Sequence, residues 1–169
     1  ADGRTPADLA ALRGHAAALE MLARAGAPLA DRDAAGRVPA HFAAMHGCAA
    51  ALEALARLGA PLSERDDAGW TPAHWAAFNG RAAALEALDA AGADLSVPNS
   101  NGDTPADLAA DEVLHPAALR ALWLSGADCD SAAGLAAQNG RGDALADATP
   151  AAGALRRVRV AARRGELGE

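Results

Sequence analysis

Asp8, His41, His74 and Asp107 follow one another at intervals of 33 residues, and imidazole with carboxylate is a common zinc ligand set. Zinc needs three or four such groups at about 2 Å. Spacing this regular implies one residue per repeating unit, and stacked helices stand roughly 8–10 Å apart. One ion cannot bridge that row, so no metal site is expected. His46 and Cys48 have no third or fourth ligand nearby, and His15 and His115 are expected to be solvated at loop or helix edges. Cys48 and Cys129 lie in no C-x-x-C motif and are expected as reduced, buried small side chains. Nucleophile elbow, phosphate loop, H-E-x-x-H and dinucleotide fingerprint are all missing, so neither enzyme chemistry nor a cofactor is expected. An Arg-Gly-Asp tripeptide at Arg141–Asp143 is three common residues and carries little weight.

Recognition chemistry is better represented. The stretch GWTPAHWAAFNG, Gly69–Gly80, holds three of the chain's five aromatic residues. Trp70 stands just after a glycine, where equivalent positions carry Arg4, Arg37 and Asp103. Phe78 and Asn79 precede the closing glycine, matching Met45 and His46 one unit earlier. An exposed tryptophan beside Phe78 and Met45 would form an apolar patch that only binding justifies; the alternative is burial of Trp70 under the neighbouring turn. Trp75, like Leu9, Phe42 and Leu108, is expected to pack between units. The candidate partner-binding residues are Trp70, Phe78, Asn79, Met45, His46, Arg37, Asp67 and Asp103. Arg4, Arg13 and Arg37 at one end and Asp67, Asp103, Asp111 and Glu112 at the other would grade this face from basic through aromatic to acidic, which suits an amphipathic, basic partner segment.

Repeating elements must position these residues. Gly3, Gly36, Gly69 and Gly102 are 33 apart, as are Pro6, Pro39, Pro72 and Pro105. Within each unit Thr–Pro opens a helix, except that Val38 replaces the capping threonine in the second. Gly14, Gly47 and Gly80 end that helix. A second helix presents Leu19/Leu22, Leu52/Leu55, Leu85/Leu88 or Leu119/Leu122 one turn apart, and Gly26, Gly59, Gly92 or Gly126 closes it. In the fourth unit DEVLHP, Asp111–Pro116, replaces the terminating glycine, so a longer loop and a helix opening at Pro116 are expected. A period of this length signals a solenoid whose units bury their apolar faces against neighbours.

The motif TPAHWA at Thr71–Ala76, its variant VPAHFA at Val38–Ala43 and the trailing Gly-Ala-Asp at Gly92 and Gly126 resemble the ankyrin repeat. The leucine usual after the proline is alanine in every unit, which implies a thinner core, and Asp8 and Asp107 stand where the pattern has histidine. The resemblance implies an all-α repeat fold, an ankyrin solenoid of helix-turn-helix units with β-turn or hairpin fingers. It further implies a non-enzymatic protein-interaction module that binds a partner protein or peptide on its concave face, and a hydrogen-bonding role for His41 and His74.

On this reading residues 1–130 form four repeats, near 1–32, 33–65, 66–98 and 99–130. Residues 131–150 form a degenerate cap, and 151–169 a basic tail. The chain starts within a repeat at Ala1, so an alternative is the targeting or regulatory part of a larger enzyme or effector whose chemistry lies upstream. Half the residues are hydrophobic, but much of that is alanine, and every basic residue is arginine. The net charge of −7 is uneven: residues 1–150 carry ten arginines against twenty carboxylates, residues 151–169 five against two. The body therefore repels nucleic acid and anionic lipid. No apolar run is long enough to span a membrane, and a cytoplasmic monomer is expected.

Overall fold

The computed structural model describes residues 3–110 and 115–129. The expected cap, the basic tail, the Arg-Gly-Asp tripeptide, Asp111 and Glu112 lie outside the described residues.

Among the described residues eight helices follow in four pairs: α1 (Pro6–Leu12) and α2 (Ala16–Arg24), α3 (Pro39–His46) and α4 (Ala49–Arg57), α5 (Pro72–Phe78) and α6 (Ala82–Ala90), α7 (Pro105–Ala110) and α8 (Pro116–Ser125). The odd-numbered helices stack on one another as one layer and the even-numbered ones as a second. Each odd-numbered helix opens on the proline that follows its cap, where a missing N–H costs nothing. Pro116 opens α8 as the sequence implies. Between the pairs the chain runs out as a finger of tight turns, with no strand among the described residues.

Alanine sets the spacing of the layers. Ala10, Ala11, Ala43, Ala44, Ala76, Ala77, Ala109 and Ala110 are buried along the odd-numbered helices, where a methyl group lets backbones approach closely. Bulk comes mainly from the even-numbered helices: Leu19, Leu52, Leu55, Leu85, Leu88, Leu119 and Leu122 are fully buried, each contributing about 2 kcal/mol.

The fingers touch one another through their glycines. A Cβ on Gly36 (φ 74°) would meet the Asp67 carboxylate and come within 3.0 Å of its backbone nitrogen; on Gly69 (φ 78°) it would come within 2.8 Å of Ser100 N. Positive φ and the adjoining finger both require glycine there. Among the described residues no helix is long and apolar enough to cross a membrane.

Candidate functional site

Each finger is closed by a residue absent from the sequence reading. Asp33, Asp66 and Asn99 are 33 apart and buried. The Oδ1 of each accepts two backbone N–H groups: Ala35 and Arg37 at 2.9 Å, Ala68 and Trp70 at 3.0 and 2.8 Å, Asn101 and Asp103 at 2.8 and 3.0 Å. The same residues donate their own N–H to the carbonyls of Arg37, Trp70 and Asp103. Aspartate and asparagine are the side chains that close such turns.

The histidines tie these fingers to the helices. In α3, Nδ1 of His41 accepts the Val38 N–H at 3.0 Å, so its ring proton sits on Nε2 and is donated to the Trp70 carbonyl at 3.1 Å. His74 repeats the pattern: Nδ1 accepts from Thr71 N–H at 3.1 Å and lies 2.8 Å from its hydroxyl, while Nε2 donates to the Asp103 carbonyl at 3.1 Å. Burial pushes both imidazoles below the ordinary histidine value, which keeps them neutral. At Val38 only half of the capping pair exists, because valine has no acceptor for the return bond.

Side chains after the turn glycine differ from finger to finger. Arg37 closes on Asp33 Oδ2 through Nη2 at 2.7 Å and Nε at 3.0 Å. Burial pushes the Asp33 carboxyl up, but the Arg37 bonds and two backbone N–H groups outweigh it and hold it below the usual range. The Arg37 guanidinium also lies 4.8 Å from the Phe42 ring centroid, with Arg4 at 5.2 Å. One repeat on, Trp70 replaces Arg37, and Asp66 Oδ2 instead accepts the indole N–H of Trp75 at 2.9 Å. The Trp70 ring packs 4.8 Å from Trp75 and 5.4 Å from Phe78, the latter edge-on. At the last finger Asn99 Nδ2 donates to the Asp103 carboxylate at 3.3 Å.

The structure thus brings Trp70 and Phe78 together and adds Trp75 to them. Phe78 is 52% exposed, whereas Trp70 and Trp75 are half-buried, so Trp70 is less open than an isolated finger residue would be. Asn79 caps α5 and donates to the Trp75 carbonyl at 2.8 Å. Met45 and His46 end α3, the first half-buried and the second exposed. Arg37 is held by Asp33, Asp103 is half-buried beside Asn99, and Asp67 is exposed on its finger. His115, expected in solvent, is half-buried, and its Nε2 sits 3.1 Å from the Phe78 carbonyl at the end of α5.

Arg32 and Arg65 also escaped the sequence reading, although they too are 33 apart. Nη1 of Arg32 donates to the Gly36 and Arg65 carbonyls at 3.2 and 2.9 Å, and that of Arg65 to Gly69 and Pro98 at 3.2 and 2.8 Å. Each guanidinium therefore clamps its finger to the next.

Cys48 and Cys129 are half-buried rather than fully buried; burial pushes the Cys48 thiol up, away from thiolate chemistry. A groove of about 350 Å³ lies between the C-terminal ends of α6 and α8, lined by Asp89, Leu95 and Ser125 among others. A smaller one occupies the corresponding place one repeat earlier, so the repeat itself makes these furrows. Among the described residues no three His, Cys, Asp or Glu side chains gather as a metal would require.

Paired helices stacked in two layers, joined by fingers and pinned by a histidine at two of their junctions, define a helical repeat protein. A family model described as ankyrin repeats (3 copies) matches residues 40–133, and the chain belongs to the ankyrin repeat family. No curated protein matches it.

Proposed function

We propose that this chain grips a partner protein or peptide on the face built by its fingers and odd-numbered helices, with Trp70, Trp75 and Phe78 at the centre. Ankyrin repeats are generally protein–protein interaction modules, so the class of function follows from the family; the face and its residues are our reading. The observation that carries it is Phe78, half-exposed and packed edge-on against Trp70. Exposed aromatic surface beside a half-buried tryptophan is the usual composition of an interaction hot spot. Asn79, Met45 and His46 would line the helix side of the footprint, and Arg37, Asp67 and Asp103 the finger side.

Affinity capture with the native chain beside a Trp70→Ala/Phe78→Ala double variant tests this, with melting curves to confirm that both are folded. The expected result is a partner whose affinity falls at least about 30-fold in the variant, corresponding to about 2 kcal/mol at a hot spot. Equal retention by both proteins would move the site elsewhere.

A further inference from the structure

We propose that the Trp70–Trp75–Phe78 cluster receives an arginine side chain from the partner, completing between two molecules an arrangement that the chain builds within itself one repeat earlier. This rests on the finger-and-helix face being the partner surface.

The 33-residue register makes the two sites directly comparable. Phe42 corresponds to Trp75, Asp33 to Asp66, Arg37 to Trp70, and Arg4 to Arg37. In the earlier site both the ring and the carboxylate are satisfied by arginine. Phe42 is 1% exposed beneath the Arg4 and Arg37 guanidiniums, and Arg37 also takes both of its bonds to Asp33 Oδ2.

In the later site that cation is missing. Trp70 supplies a ring where Arg37 supplied a charge. Asp66 is therefore held by three neutral donors, the N–H groups of Ala68 and Trp70 and the Trp75 indole. Among the described residues Asp66 makes no ion pair and no guanidinium lies over Trp70, Trp75 or Phe78. Arg65 does not fill the gap. Its Nη1 is committed to the Gly69 and Pro98 carbonyls, and Arg32 makes the matching pair of carbonyl bonds, so the two sites do not differ in this respect.

Charge points the same way. Asp103 holds the position equivalent to Trp70 on the next finger, and exposed Asp67 lies on the same finger as Trp70. An aromatic cluster over a carboxylate that lacks a cation attracts positive charge. Arginine fits better than lysine, because a planar guanidinium stacks on a ring while its N–H groups donate in its own plane, as Arg37 does here. Its aliphatic stem would cover the exposed part of Phe78.

The test is selection of dodecapeptides from a random display library on the whole chain, followed by synthesis of the enriched peptides. Each is compared with its citrulline version, which keeps the side-chain shape without the charge. Each is also measured against the Trp70→Arg chain, which supplies the guanidinium from within, and the Trp70→Ala/Phe78→Ala chain. Arginine already occupies the same position in the first two repeats, and melting curves confirm that each variant is folded. We expect the peptides to share an arginine and to lose about 10-fold or more in affinity on either the citrulline or the Trp70→Arg change. Peptides lost with the double alanine variant but indifferent to citrulline would overturn the arginine and leave the proposed surface standing. Finding no peptide that depends on Trp70 and Phe78 would overturn both.

Discussion

The first and third repeats start their first helices, α1 and α5, alike and finish the junction differently. At α1, Asp8 Oδ2 accepts the Thr5 N–H at 2.7 Å and its hydroxyl at 3.0 Å, while Thr5 Oγ1 accepts the Asp8 N–H at 3.2 Å. At α5, one nitrogen of His74 serves the same cap and the other donates to the Asp103 carbonyl on the next finger. The equivalent acceptor for Asp8 is the Arg37 carbonyl, 29 residues on, and an ionised carboxylate has no proton to offer it. Asp8 Oδ1 is accordingly buried without a partner. A carboxylate suffices for the cap; linking one repeat to the next requires a donor.

The largest test of that difference is to delete each side chain. His74→Ala would leave the Thr71 N–H and one bond of the Asp103 carbonyl unmet in a buried setting. We expect a loss of about 3 kcal/mol in urea denaturation. Asp8→Ala removes a cap and an orphaned oxygen together, so about 1 kcal/mol is expected. Equal losses would erase the distinction between cap and link.

A smaller effect sharpens the comparison through pH. Burial raises the Asp8 carboxyl above its ordinary value of 3.8, with Asp33 adding to the rise and the Thr5 bonds and Arg37 opposing it. The folded state therefore binds this proton more tightly than the unfolded chain. Its stabilising contribution is full below the ordinary value and is lost as pH rises through the folded one. Asp8→Asn carries a permanent donor and should stabilise by about 1 kcal/mol at pH 7, an advantage that shrinks on acidification. His41 and His74 act in the opposite sense. Their folded values lie below the ordinary 6.5, so their contribution is present above it and lost as pH falls.

The smallest effect is at the cap itself. Val38→Thr would supply the hydroxyl that Thr71 places beside His74, and about 0.5 kcal/mol of added stability is expected by thermal melting.

Most of the architecture was readable because each turn glycine and helix-opening proline reports a local backbone requirement at a fixed period. The proposed binding face was readable in part. Trp70 and Phe78 stood out as departures from their repeat equivalents, but the role of Trp75 depended on which group closed Asp66 in space. Asp33, Asp66 and Asn99 look like ordinary polar turn residues until their N–H acceptors are seen. Arg37 illustrates the same limit: its charge, read as part of an open basic end, is taken up by Asp33.

The Arg32 and Arg65 clamps each grip one backbone carbonyl of their own finger and one of the next, along with the Glu64 carboxylate at Arg32. Carbonyls are the same whatever side chain a residue carries. The pitch of the three fingers they join is thereby insulated from mutation at positions 37, 70 and 103, where arginine, tryptophan and aspartate already occupy equivalent seats. Descendants of this chain could acquire new binding preferences at those seats by single substitutions, without first having to rebuild the scaffold that presents them.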